Sequence, residues 1–334
     1  MLSALILNIV NSILFVKFYK LFTKILNLFD KPNYRKIHKK PVSQLGGFIF
    51  FTNFLIIFLL NFVDVYNFDV NYSQRLIFIL FFCYSLIFLL GYLDDKFDIN
   101  SYTKTIILII LISLVVFSDQ KAQITKLVFS FDQKIYLGSL SLIFTIFCIF
   151  IFINAFNMFD GINCQASLFT FLIILFLFYN GANLNLLLPI IVSNFFFLFY
   201  NFKNKIYLGN NGSYSISFIL GCVIITEYNN PNNIIYADHV ALMLFLPIID
   251  LLRLFLLRLF KGKNPFKADN EHIHHLILKK CSNLNTIFII AMFNFLPTVI
   301  NFYLYKTIYI LFILFFIYLA FIYYFDGFRL KLSS

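Results

Sequence analysis

The 334 residues are 61% hydrophobic and only 12% charged, about half the charged share of a soluble domain, which excludes an ordinary globular protein. A net charge of +11 would suggest nucleic acid in a soluble chain, but here the positive-inside rule and an anionic inner leaflet account for it better. The cysteines Cys83, Cys148, Cys164, Cys222 and Cys281 form no CxxC pair, so neither a disulfide framework nor a zinc ribbon is indicated.

The first apolar run has no Lys or Arg before it and ends in Lys17, Lys20 and Lys24. This is not a signal-peptide pattern, and it predicts a retained anchor with its N-terminus outside. Since about 20 apolar residues cross the hydrocarbon, the later runs predict further spans. In chain order they lie near 3–23, 45–63, 75–93, 104–118, 139–157, 166–180, 184–201, 213–229, 234–258, 286–303 and 306–325. The fold class expected is all-α: one polytopic bundle over residues 1–334 with about ten to eleven spans. Residues 125–138, where polar and apolar side chains interleave, predict a small external hairpin. With the N-terminus outside, segments 24–44, 94–103, 158–165, 202–212, 259–285 and the C-terminal tail face the cytoplasm. Only Arg75, Lys121, Lys126, Lys134 and Lys306 then fall outside, and this bias favours the orientation.

Five constellations lie on that inner side. The loop Asp30-Lys-Pro-Asn-Tyr-Arg35-Lys36-Ile-His38-Lys-Lys-Pro41 ends at Gly46-Gly47. Its basic groups can bind phosphate by charge-assisted hydrogen bonds, although a plain positive-inside loop reads the same way. Gly91-Tyr-Leu-Asp94-Asp95-Lys96 places two adjacent carboxylates at a membrane boundary, where a divalent cation relieves their repulsion. Asn154, Asn157 and Asp160 recur every third residue and share one helix face, which suits ligand binding or interhelical hydrogen bonding. Gly209-Asn210-Asn211-Gly212-Ser213 opens a helix and can bind an anion there, or form an ordinary turn. Pro247, Asp250, Arg253 and Arg258 precede Lys261-Gly-Lys-Asn-Pro265-Phe266-Lys-Ala-Asp269-Asn-Glu271-His272-Ile-His274-His275. Those histidines fit phosphate binding better than zinc, because no CxxC pair accompanies them and their spacing is not the zinc-binding helical one.

In this order the motifs resemble those of the polyprenyl-phosphate N-acetylhexosamine-1-phosphate transferases (glycosyltransferase family 4) over nearly the whole chain. The His272-Ile-His274-His275 ending, after Pro265-Phe266 and Asp269, is similar to the bacterial UDP-GlcNAc:undecaprenyl-phosphate branch, which starts O-antigen, enterobacterial common antigen and teichoic acid synthesis. The resemblance implies a helix bundle with an active-site cleft on the cytoplasmic face of the bacterial inner membrane. It implies an enzyme that moves HexNAc-1-phosphate from a UDP-sugar to undecaprenyl phosphate and releases UMP. Catalytic roles fall on Asp94, Asp95 and Asp160, and Mg²⁺ (with Mn²⁺ as a substitute) falls on Asp95 and Asp160. Substrate contacts fall on Arg35, Lys36, His38, Lys104, Asn154, Asn157, Asn210, Arg258, His272, His274 and His275. Expected partners are the UDP-HexNAc, the polyprenyl phosphate, membrane lipids and a second copy in a homodimer, but not nucleic acid.

Departures from the family pattern are Asn210 where Asp is usual, and Asn163-Cys164-Gln165-Ala166 where Asp-or-Asn, Gly, Leu, Ala is usual. Ser43 stands for a common Pro and Ser217 for a Gly. A different UDP-amino sugar is therefore a second reading of the donor. A transporter predicts ionisable residues near the midplane, and here nearly all lie at inner ends. A non-catalytic membrane scaffold predicts no UMP release.

Overall fold

The apolar runs fold as helices. A computed structural model describes residues 2–30, 40–68, 72–262, 271–304 and 306–326. Its long helices are α1 (Leu2–Leu26), α2 (Gly46–Phe62), α3 (Gln74–Phe97), α4 (Ser101–Ser118), α5 (Ser141–Phe159), α6 (Gln165–Tyr179), α7 (Leu184–Phe202) and α8 (Gly209–Tyr228). After them come α9 (Ala237–Met243), α10 (Phe245–Phe260), the short α11 (Ile273–Leu278), α12 (Asn283–Leu304) and α13 (Thr307–Asp326). Each run expected to span carries a helix. By length and composition, seven described helices can cross a membrane, or eight if α9 and α10, bent by 72°, form one span. The difference from the expected count has physical causes. Helices α2 and α6 have 17 and 15 residues, short for a straight crossing. Helix α8 opens on Gly, Asn and Ser and is buried over nearly its whole length, so its surroundings are protein and it has less need to be apolar. The chain is a membrane protein.

Two compact units divide the chain: residues 1–126 with 136–234, and residues 127–135 with 235–334. In the first, α8 is the central post, packed by α2, α3 and α5. Helix α1 lies on α2 and α7, and α4 lies on α3 and α5. Asn53 fixes part of this packing, donating to Ser12 Oγ and Ser193 Oγ at 2.8 Å each and accepting from Asn11 Nδ2 at 2.8 Å. In apolar surroundings each such interhelical bond contributes about 0.6 kcal/mol.

The segments flanking the first loop are also fixed. Strands β1 (Phe29–Asp30) and β2 (Val42–Ser43) pair antiparallel, Phe29 opposite Ser43. Ser43 also bridges to Ile206, and Gly46 N and Gly47 N donate to Tyr207 O and Leu208 O at 2.9 and 3.1 Å. The start of α2 is thereby tied to the start of α8. Strands β3 (Lys126–Val128) and β4 (Lys134–Tyr136) form a second two-stranded sheet, within the segment expected as a hairpin. In the second unit α9 packs on α12 and α13, and α11 on both as well. Asp238 on α9 accepts from Ser130 N and Ser130 Oγ at 3.0 and 2.5 Å.

The α5–α6 turn explains one sequence departure. Cys164 has φ +65°, the left-handed region where glycine is cheapest, and its N–H donates to Asn201 Oδ1 at 2.6 Å. Relief of about 1–2 kcal/mol of strain by glycine is offset by its chain entropy, about 0.5–1 kcal/mol, and by the lost burial of the thiol. Cys164→Gly is therefore expected within about 1 kcal/mol of the parent. Cys164→Val, β-branched at positive φ, should destabilise by about 2 kcal/mol, read as a lower midpoint in thermal unfolding.

Candidate active site

Asp94 and Asp95 are in the last turn of α3 and face the start of α8. Leu208, the residue before α8, has no side chain able to cap the helix, and Asp95 supplies the missing acceptor from another element. Its Oδ1 accepts from Asn210 N at 2.9 Å, and its Oδ2 from Asn211 N at 3.0 Å and Asn211 Nδ2 at 2.6 Å. A carboxylate on the first N–H groups of a helix is favoured by both hydrogen bonding and the helix dipole. Asp94 is more enclosed, its side chain only 1% exposed. Lys104 Nζ lies 3.0 Å from each of its oxygens. Ile99 N donates to Oδ1 at 3.0 Å, and Asn210 Nδ2 and Tyr214 OH donate to Oδ2 at 3.0 and 3.2 Å. Asn210 thus spans both carboxylates, its backbone on Asp95 and its amide on Asp94.

This clamp needs α3 and α8 to touch. A Cβ on Gly91 would lie 2.5 Å from Asn210 O and 2.6 Å from Asn211 Cα, and one on Gly47 would lie 2.4 Å from Gly212 N. Only hydrogen fits at these two positions.

The third motif approaches from α5. Asn157 Oδ1 accepts from Ser213 Oγ at 2.5 Å, joining α5 to α8. Asn154 donates its amide back to Phe150 O at 2.8 Å. Asp160 ends α5 in a non-helical conformation. Among the described residues no donor reaches its carboxylate. Burial first, and the negative charge of Asp95 second, push its carboxyl well above the usual range. Tyr207, close enough to feel both Asp160 and Asp30, has its phenol pushed up to about 12, with burial the larger cause.

No group of three His, Cys, Asp or Glu side chains that could hold a metal occurs among the described residues. Mg²⁺ does not demand one, because it is usually held by one or two carboxylates plus substrate phosphates and water. The residues present fit that mode. Among the described residues no donor uses the lone pairs of Asp160, and Asp95 has one acceptor position left after its three described bonds, since a carboxylate offers about four.

The second unit holds the histidines. Asp250, Leu254 and Arg258 are on the buried face of α10. Asp250 Oδ2 meets His272 Nδ1 at 2.9 Å and Ile273 N at 3.3 Å. Its Oδ1 accepts from Arg253 at 2.8 Å and from Tyr318 OH at 2.9 Å. Arg253 also donates to Glu271 O at 2.7 Å. His274 is 1% exposed, with its ring parallel to that of His272 at 5.6 Å. Burial, then His275 and His272, push its imidazole well below the usual range, so it is neutral near pH 7. The ring of half-buried His275 lies 4.3 Å from that of His274.

Asp94, Asp95, Lys104 and Asn210 therefore form one network in the first unit, with Asn157 tied to α8 and Asp160 near Asp95. Arg35, Lys36, His38 and Asp269 lie outside the described residues. Sequence reasoning gave no role to Tyr214 or Tyr318, and named Asn211 and Ser213 only as part of a turn. Asn211 and Ser213 carry a signal, because a helix start without a capping residue must find its acceptors elsewhere. The tyrosines carry none, being two of 20.

Residues 77–227, which include the carboxylate and asparagine motifs and all of α8 but its last residue, match glycosyl transferase family 4. The undecaprenyl-phosphate alpha-N-acetylglucosaminyl 1-phosphate transferase of Escherichia coli K12 is 28% identical over 281 residues, 80% of this chain and 73% of the relative. The protein of the same name from Haemophilus influenzae is 28% identical over 289 residues, 80% of this chain and 76% of its own. That from Yersinia pestis is 26% identical over 268 residues. With its motifs in family order and the match spanning the clamp they build, the chain is similar to glycosyl transferase family 4 over residues 77–227 and to these transferases over most of its length.

Proposed function

We propose that this protein transfers a HexNAc-1-phosphate, GlcNAc-1-phosphate first among them, from a UDP-sugar to undecaprenyl phosphate, releasing UMP. The observation that carries the reading is Asp160, a carboxylate with no described donor, beside an aspartate pair locked onto the start of α8. The relatives' names support the reaction, and the Lys and Arg bias supports an inner-membrane protein of about eleven spans with this site facing the cytoplasm.

Asp160 and the open position on Asp95 would hold Mg²⁺, which would supply charge neutralisation for the pyrophosphate and for departing UMP. The protein's own contribution is positioning. Asp95 fixes α8, and Asn157 fixes α5 to α8, so Asp160 is presented at a set depth. Asp94, saturated by five donor contacts, holds Lys104, Asn210 and Tyr214 in place rather than serving as a free base. In the second unit His272, oriented by Asp250, offers its Nε2 to a phosphate oxygen. The acceptor's polyprenyl tail stays in lipid, which accounts for a membrane-embedded enzyme.

Gln165 favours the second donor reading, a UDP-amino sugar other than UDP-GlcNAc. It is 3% exposed with both amide atoms unpartnered, where the family usually has Leu. A panel of UDP-sugars with purified protein, undecaprenyl phosphate and Mg²⁺ tests both. UMP release with UDP-GlcNAc supports the first reading, release with another amino sugar the second, and none with any donor sinks the assignment.

A further inference from the structure

We propose that Tyr318 is a positioning residue that, through Asp250, fixes the tautomer and orientation of His272. The inference rests on His272 acting on phosphate in the proposed reaction, but its geometry stands apart from that reading.

Helix α13 is the least buried span, 17% of its best window, and Tyr309, Tyr323 and Tyr324 on it are exposed. Tyr318 is the contrast, at 1% exposed. Packing alone does not need its hydroxyl, and a phenylalanine would keep the edge-to-face contact with Phe245 at 6.5 Å. The hydroxyl instead bridges two charges. Arg253 Nε donates to it at 2.7 Å, and it donates to Asp250 Oδ1 at 2.9 Å. Asp250 then has two donors on each oxygen: Tyr318 and Arg253 on one, His272 Nδ1 and Ile273 N on the other. A saturated carboxylate cannot rotate without breaking several bonds at once. Because it accepts, His272 must carry its proton on Nδ1, which leaves Nε2 as the working nitrogen.

Removal of the hydroxyl strands Arg253 Nε and opens one position on Asp250. The carboxylate can then turn toward Arg253, and its hold on His272 loosens. The guanidinium, with Glu271 O as a second acceptor, keeps the local fold.

The test is Tyr318→Phe in the full-length protein, with ¹⁵N-histidine labelling and His272→Gln to assign the ring. In the parent, the His272 Nδ1–H resonance should be visible and slow to exchange. In Tyr318→Phe its exchange should quicken by at least about tenfold, at a thermal midpoint within a few degrees of the parent. Turnover should fall by about tenfold with KM little changed, and should not fall further when Tyr318→Phe is added to His272→Gln. An unchanged Nδ1–H resonance overturns the proposal. So does an equal loss of turnover in the His272→Gln background, since that marks a role independent of His272. If the parent releases no UMP with any donor, the proposed reaction fails while the resonance still decides the role of Tyr318.

Discussion

Asp160→Asn is expected to lower UMP release by about a thousandfold, since in the proposed reaction it removes a carboxylate that would hold the metal and with it several kcal/mol of charge stabilisation. The same change should make the metal-free protein more stable. Asp160 is pushed well above the usual carboxyl range by burial and by Asp95, so the folded state binds its proton more tightly than the unfolded chain does. Where the folded state holds the extra proton, stability falls as pH rises. The fall begins above the unfolded carboxyl value, near 3.9, and ends above the raised folded value. In EDTA at neutral pH the parent should therefore unfold at a lower temperature than Asp160→Asn. Addition of Mg²⁺ should raise the parent's midpoint and leave the variant's unchanged, at about 2.7 kcal/mol for a hundredfold excess over the dissociation constant. Equal midpoint gains in both proteins would remove Asp160 from the metal site.

Gly91→Ala is expected to cost at least about 3 kcal/mol and to reduce turnover by more than about a hundredfold. The added methyl would meet the Asn210 carbonyl oxygen at 2.5 Å and Asn211 Cα at 2.6 Å. Both are backbone atoms of α8, and neither can step aside as a side chain end would. Helix α3 or α8 must move, and their contact carries Asn210 N and Asn211 N onto Asp95 and the Asn210 amide onto Asp94. Stability and activity should therefore fall together, unlike Asp160→Asn, where they part. Expression with a native-like melting curve and normal turnover would show that α3 and α8 do not need this approach.

Much of this was readable without coordinates, for identifiable reasons. Apolar runs near 20 residues have one stable outcome in lipid, so every expected span is helical, in one case as two helices with a bend between them. The number of full crossings was less readable, because α8 is sheltered by its neighbours, and the 72° bend at Leu244 has no proline at the break itself. Asp94, Asp95, Asp160 and the histidines stood out because charge at a membrane boundary is costly and needs a reason. What each carboxylate does was not legible. The sequence makes Asp94 and Asp95 look like a matched pair, yet Asp95 caps a helix 115 positions away and Asp94 is locked by Lys104. Tyr318 contacts Asp250 across 68 positions, and no local pattern encodes a partner at that distance.

The amide at position 210 sets the charge balance around Asp94. The common family residue there, aspartate, would set a third carboxylate about 3 Å from Asp94, with repulsion of several kcal/mol at an effective dielectric near 20. Such a residue can persist only beside an extra cation or proton, and the neutral amide dispenses with both. Asn210→Asp in this protein should therefore be tolerated only together with an added positive charge or a bound proton beside Asp94.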